Sequence, residues 1–289
     1  RIADALGLPL AETAAGIARV AEFKMADLIR EMTVQKGLDP RDFTLFAFGG
    51  AGPVHAGVFG AELGVRKVII PQKEIAATWC AFGAASADVL HVHEQADIQP
   101  SPFDPARVNR VLEALERRAH AQMDRDGIPR ARRRLAFSLD MRHRGQINEV
   151  EVLLPEARLA RGQLEALRER FVERYERLYG HGSSYRGARL EIVTLRLRAS
   201  APTPRPRLGC AARLVARVAP DARRGKRAIW WPELKRAVAT PIYDGARLAP
   251  GNRIAGPTVV ETTDTTIVVH PRRTLRVDAF GNFEISFGR

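Results

Sequence analysis

The chain has 289 residues, 45% of them apolar, enough for two or three packed units around a sizeable core. No apolar run approaches the roughly 18 uninterrupted residues of a membrane span, and two cysteines, Cys80 and Cys210, do not make a disulfide framework. The net charge of +13 raises nucleic-acid binding, but its distribution argues against it: residues 1–100 carry 9 Lys/Arg against 12 Asp/Glu, and residues 101–289 carry 37 against 21. Of the 46 basic residues 40 are Arg, and the two dense clusters, Arg130 to Arg134 and Arg223 to Arg227, have no aromatics interleaved for base stacking. That pattern reads as a solvated surface or a subunit interface. The start, Arg1-Ile-Ala-Asp, shows neither Met nor a charged-then-apolar leader, so the expectation is a fragment or processed piece in the cytoplasm.

In chain order, residues 11–36 read as one long helix, with Ile17, Val20, Ala21, Met25, Leu28, Ile29 and Met32 at helical spacing on one face. Gly37 suits a left-handed cap, and Asp39-Pro40 blocks continuation. A short apolar strand, Thr44 to Phe48, runs into Gly49-Gly50-Ala51-Gly52-Pro53, then a helix over Val54 to Glu62 and a strand over Lys67 to Ile70. Strand, glycine turn, helix, strand is a parallel crossover unit, and the apolar strands predict a sheet covered on both faces. Ile75 to Leu90 is rich in small residues, for tight helix packing or close approach of a ligand.

Asp104 and Pro105 are an N-cap and first-turn pair for a helix buried through Val108, Val111, Leu112 and Leu115. Period-two strands follow over Arg134 to Arg142 and Gln146 to Leu154, then a helix over Arg161 to Tyr179 and a strand over Leu190 to Leu197. Three prolines in residues 201–209 predict an exposed linker. Beyond it lie only short strands and turns. The expected domains are 1–100, an α/β part with the glycine turn; 101–200, an α+β unit; and 210–289, a small all-β module.

The glycine turn is the place where sequence points to a ligand. Its glycine pair permits positive φ and close backbone approach, and Pro53 at the helix start leaves first-turn N–H groups free for an anion. Two readings stand side by side, contact with a nucleotide and a tight packing turn. Neither the Rossmann spacing nor a P-loop is present. His55, one turn into the helix, either faces the ligand or packs. Arg142, Arg144 and Gln146, with Asp140, cluster at a strand end that suits either an anionic or carbonyl substrate or a salt-bridged surface. His91-Val-His93 is a possible metal pair without a third ligand nearby, so no metal site is assigned. Trp230-Trp231 anchors the β module or an exposed edge.

Five ordered blocks carry a resemblance. Phe48-Gly-Gly-Ala-Gly-Pro-Val-His-Ala56, Phe82-Gly-Ala-Ala-Ser-Ala-Asp-Val-Leu-His91, Leu139-Asp-Met-Arg-His-Arg-Gly-Gln146, Arg174-Tyr-Glu-Arg-Leu-Tyr-Gly180 with Glu191 to Arg196, and Thr240-Pro-Ile-Tyr-Asp244 through Gly256 to Glu261 and Asp278 to Asn282 resemble the carboxy-terminal part of the hydantoinase A/5-oxoprolinase family, which includes acetone and acetophenone carboxylase subunits. The resemblance implies an α/β fold that is part of an actin-like ATPase of the sugar-kinase and heat-shock type. It implies ATP and Mg²⁺ as cofactors, with Gly49, Gly50, Ala51 and Gly52 lining the nucleotide and Pro53 and His55 holding the helix start. The implied activity is ATP-dependent opening of a cyclic amide through a phosphorylated intermediate, with ketone carboxylation or a non-catalytic scaffold role as alternatives.

Two departures matter. The family's Asp-x-Gly-Gly-Thr phosphate segments are absent from this sequence, so the carboxylates that position Mg²⁺ are expected in an amino-terminal part or partner subunit, in a hetero-oligomer acting on a small molecule without nucleic acid or membrane. His143 stands where the family usually has Tyr.

Overall fold

The computed structural model describes residues 1–71, 75–185, 187–206 and 208–287. The chain divides into two units, Arg1–Ala85 with Pro206–Arg289, and Ser86–Arg205.

The first unit begins with α1 (Ile2–Leu6) and α2 (Leu10–Val34), followed by β1 (Leu45–Phe46), α3 (Gly52–Leu63), β2 (Lys67–Ile70) and α4 (Trp79–Ser86). β1 and β2 pair in parallel around α3, the expected crossover. β1 is shorter than the predicted 44–48 because the backbone turns at Phe48 into the glycine segment. In the second half of the chain the first unit gains β7 (Arg223–Trp231), β8 (Arg236–Asp244), β9 (Arg253–Ala255), β10 (Thr258–Glu261), β11 (Thr266–Val269), β12 (Thr274–Val277) and β13 (Phe283–Ser286). One sheet runs β1-β2-β13-β12-β9, the other β11-β10-β8-β7.

The sequence reading separated 1–100 from 210–289. In the structure β13 pairs directly with β2, Phe283 opposite Ile70 and Ile285 opposite Val68, and all four side chains are fully buried. Strands from both ends of the chain thus share one core, which also takes in Phe59, Leu63 and Leu275. Sequence patterning could not foresee this pairing, since each strand reads the same whether its neighbour is local or two hundred residues away. Residues 202–206, 208 and 209 carry no helix or strand and are half-buried or exposed; Arg207 lies outside the described residues.

α2 departs from its expected orientation. Ile17, Val20, Leu28 and Met32 are 54–59% exposed, whereas Glu22 and Ala26 on another face are buried, with Met25 and Ile29 partly so. Likewise, Phe46 and Phe48 of the β1 region stay largely exposed, Phe46 stacking near-parallel on Trp79 at 6.5 Å. The expectation of a sheet covered on both faces is therefore not met: β2 buries Val68 and Ile70 on one face, while Lys67 and Ile69 on the other are half-buried. The helix packs on the core through Met25, Ala26 and Ile29 and leaves the row of Ile17, Val20, Leu28 and Met32 outward.

The second unit is an antiparallel sheet, β3 (Val89–Pro100), β6 (Leu190–Ala201), β4 (Arg134–His143) and β5 (Val150–Leu154), backed by α5 (Pro105–Arg125) and α6 (Leu164–Tyr179). Asp104 caps α5 by accepting from the Ala106 N–H at 2.9 Å, and Val108, Val111, Leu112 and Leu115 are buried as anticipated. β3 was not legible as a strand. Leu90 and Val92 are exposed while His91 and His93 are half-buried, so the apolar alternation points the wrong way for a core-facing strand. On the sheet face away from the helices Arg196 pairs with Glu94, Asp140 and Glu151 at 2.5, 2.7 and 3.2 Å. Burial works against ionisation of Glu151, yet hydrogen bonds from Arg198 and Ser138 hold its carboxyl down at about 2.

His143 sits at the end of β4 with its ring edge-on to Phe171 and Tyr175, 5.1 and 5.0 Å between centroids. Nε2 lies 3.2 Å from Ser184 Oγ, and Nδ1 is buried without a partner. Burial, reinforced by the charge of Arg168, lowers its pKa from the ordinary 6.5. The folded state therefore favours neutral imidazole, and the unfolded chain binds the extra proton. The resulting stability is fully present above pH 6.5 and is lost as pH falls toward the depressed folded value, with a slope of at most about 1.4 kcal/mol per pH unit. His143→Phe should lose less stability than wild type between pH 7.5 and 5.5 in urea titrations. His93, also depressed by burial and by Arg118, adds to the slope in the same direction. An unchanged difference between the two pH values would show that His143 already accepts a proton in the folded state.

Candidate functional site

The glycine turn joins β1 to α3 on the surface of the first unit. Gly49 adopts φ 81°, a left-handed conformation that suits glycine, and its N–H bonds the Ala76 carbonyl at 2.9 Å. Gly50 is not left-handed, so the freedom the turn needs is carried by Gly49. Ala51 is the N-cap and Gly52 the first helical residue, which puts Pro53 second rather than first. The N–H groups of Gly50, Ala51 and Gly52 have no hydrogen-bond partner among the described residues, and Pro53 has none to offer. Gly50 and Ala51 are exposed, with Gly52 half-buried. Three consecutive free amides at the start of a twelve-residue helix form a cradle for a negatively charged group.

A second segment, distant in the chain, holds the turn in place. Thr262 to Thr265, between β10 and β11, lies against the glycines. Thr265 Oγ1 donates to the Gly50 carbonyl at 2.9 Å, and Thr265 is buried. A Cβ on Gly50 would stand 3.7 Å from the Asp264 carbonyl oxygen, an ordinary contact. The Asp264 carboxylate accepts from Thr262 Oγ1 at 3.1 Å and from the Ala77 N–H at 3.4 Å. The only prior signal was a Thr-rich turn between two short strands.

His55 faces away from the turn. Its Nδ1 lies 3.0 Å from Glu22 Oε1, so it ties α3 to α2 and lines a cleft between them. Arg142, Arg144 and Gln146 belong to the second unit and are occupied by partners within it. Arg142 Nε and Arg144 Nε share Glu191 at 3.2 and 3.5 Å, and Gln146 Oε1 accepts from Tyr175 Oη at 3.2 Å. His91 pairs with Asp126 at 2.6 Å. Among the described residues no group of three His, Cys, Asp or Glu is arranged to hold a metal, and no helix is long and apolar enough to cross a membrane. Both cysteines are free and exposed.

Comparison with known proteins gives the same frame. Residues 1–93 match the hydantoinase/oxoprolinase family and residues 103–286 the hydantoinase/oxoprolinase C-terminal domain. The caprolactamase alpha subunit of Pseudomonas jessenii is 32% identical over 100% of this chain and 41% of its own length. The acetophenone carboxylase gamma subunit of Aromatoleum aromaticum is 31% identical over 97% of this chain and 39% of its own length. The crystal structure of the ATP-dependent caprolactamase from Pseudomonas jessenii superposes with a TM-score of 0.85 at 30% identity, over 100% of this chain and 42% of the other. The chain thus spans about two fifths of these relatives, and its α/β class is borne out. It belongs to the hydantoinase/oxoprolinase family.

Proposed function

We propose that this chain is the carboxy-terminal part of an ATP-dependent enzyme that opens cyclic amides, and that residues 49–53 are one wall of its nucleotide site. The observation that carries the reading is the row of free amides at Gly50, Ala51 and Gly52, exposed at a helix start within a family whose similar members include an ATP-dependent caprolactamase. These amides fit a phosphate or the polar edge of a nucleotide, and glycine leaves room for close approach. ATP supplies a phosphoryl group that activates an amide oxygen toward water. This chain's part is to bind and orient the nucleotide through backbone donors, with Thr265 fixing the Gly50 carbonyl and the Ala76 carbonyl fixing the Gly49 amide.

Asp264 is the carboxylate beside the turn, and one carboxylate does not make a Mg²⁺ site, so Mg²⁺ is assigned to carboxylates outside this chain. The remainder of an actin-like ATPase, as an amino-terminal part or a separate subunit, completes the site, and the assembly works in the cytoplasm on a small molecule. Ketone carboxylation is the second reading, favoured by the acetophenone carboxylase relative at 31% identity.

The test is substrate-stimulated ATP hydrolysis. The chain alone should hydrolyse none. Joined to its amino-terminal part, and to a second subunit type where one is needed, it should hydrolyse ATP faster with a lactam or hydantoin than with acetone or acetophenone plus bicarbonate. Stimulation by the ketones alone would transfer the assignment to carboxylation. Hydrolysis by the chain alone would overturn the shared-site reading.

A further inference from the structure

A cleft of about 990 Å³ opens in the first unit between α2, α3 and the strands β7, β10 and β11. It falls at the upper end of the range for small-molecule sites. None of residues 49–52 lines it, so it is separate from the glycine turn. Its floor is apolar, with Ala14, Ala18, Val58 and Val268 among the lining, and Trp231 closes one end with its ring edge-on to His270 at 5.4 Å. Gly57 makes this arrangement possible, because a Cβ there would come within 2.9 Å of the His270 ring.

The charges lining the cleft do not balance. Each acid already has a partner: Glu22 has His55 at 3.0 Å, Glu233 has His270 at 2.6 Å and Glu62 has Arg30 at 3.6 Å. Arg227 has Glu261 at 3.4 Å. Arg19 and Arg272 have no carboxylate within ion-pair distance among the described residues, and Arg19 instead lies over the Phe23 ring at 5.2 Å. Three guanidinium groups of the cleft, Arg19, Arg272 and Arg273, therefore lack a salt-bridge partner among the described residues, and Arg273 instead lies over the Phe287 ring at 4.9 Å.

The backbone gives an independent sign. Among the described residues, two that are not glycine have positive φ, Lys235 at 50° and Arg272 at 63°. Arg272 stands on the turn after β11 at the cleft, and Lys235 closes the β7–β8 turn whose Pro232, Glu233 and Leu234 line it. A side chain in this conformation is strained where glycine would not be. Both strained positions carry cations.

We propose that this cleft is a second small-molecule site, which takes an organic anion with a carboxylate or phosphate head and an apolar body, the head held by Arg19 and Arg272 and the body lying on the Ala14–Val58–Val268 floor. Titration calorimetry with phenyl phosphate, benzoate and the uncharged benzyl alcohol tests it. Saturable binding of at least one anion is expected near or below ~1 mM, weakened by salt, with no saturation by benzyl alcohol. Arg272→Gly should keep or raise the melting midpoint, since glycine suits the backbone there, and weaken the anion at least fivefold. Arg19→Gln should weaken it comparably, and Gly50→Val should leave it unchanged. Wild-type affinity in both Arg272→Gly and Arg19→Gln, or loss of binding in Gly50→Val alone, would overturn the proposal. The latter result would assign the anion to the glycine turn and leave the nucleotide reading standing.

Discussion

Leu28→Glu, alone or with Ile17→Glu, is expected to leave the isolated chain as stable as wild type and to abolish its assembly with the rest of the enzyme. Both side chains are more than half exposed on α2, so no cavity or buried charge is created within the chain. Surface changes of this kind stay within about 0.5 kcal/mol, a degree or two in midpoint for a chain of this size. The proposed assembly with an amino-terminal part turns this exposed row of Ile17, Val20, Leu28 and Met32 into an interface. A carboxylate buried there without a partner costs several kcal/mol. The dissociation constant for the amino-terminal part should rise at least ~100-fold, about 2.7 kcal/mol. Sedimentation velocity on the mixed components reads this directly. A large fall in the midpoint of the isolated chain would instead show that the helix turns this face inward, and assembly at wild-type affinity would assign the face to solvent.

That helix also shows how far sequence reaches. Its existence and extent follow from spacing and from Gly37, which takes the left-handed conformation expected of it. Which face is buried does not follow. Periodicity reports that an apolar stripe seeks a partner, and it is silent on whether the partner lies in the same chain. α5 was fully legible because its partner is the adjacent sheet of its own unit. β3 was hidden because it turns histidines, rather than its Leu90 and Val92, toward the half-buried face. The pairing of β13 with β2 joins residues more than two hundred apart and has no local signature.

The candidate site divides along the same line. Gly49 to Pro53 stood out because glycine and proline announce backbone geometry. The Thr262–Thr265 segment that braces them carries ordinary turn residues, and only the fold brings it to Gly50. His55 could not be oriented from helical position alone, and Glu22, thirty-three residues earlier, decides it.

The glycine turn separates stability from nucleotide contact at neighbouring positions. Gly49 has φ 81° and open space where a Cβ would lie, so Gly49→Ala strains the backbone by about 1–2 kcal/mol without blocking anything the chain contains. Gly50 has neither a left-handed backbone nor a close neighbour, the nearest atom to a Cβ being the Asp264 carbonyl oxygen at 3.7 Å. Gly50→Val should therefore lower the midpoint by a few degrees at most, roughly the effect of 1 kcal/mol. Its larger consequence falls on the nucleotide, because the isopropyl group covers the free amides of Gly50 and Ala51.

The most direct measurement is the affinity of the assembled enzyme for a fluorescent ATP analogue, wild type against Gly50→Val, with a melting curve on each sample. A nucleotide wall at residues 49–52 predicts at least tenfold weaker binding, about 1.4 kcal/mol, with the midpoint nearly unchanged. A packing turn predicts affinity within about threefold of wild type, less than ~0.7 kcal/mol, and that result would contradict the assignment of this turn to ATP.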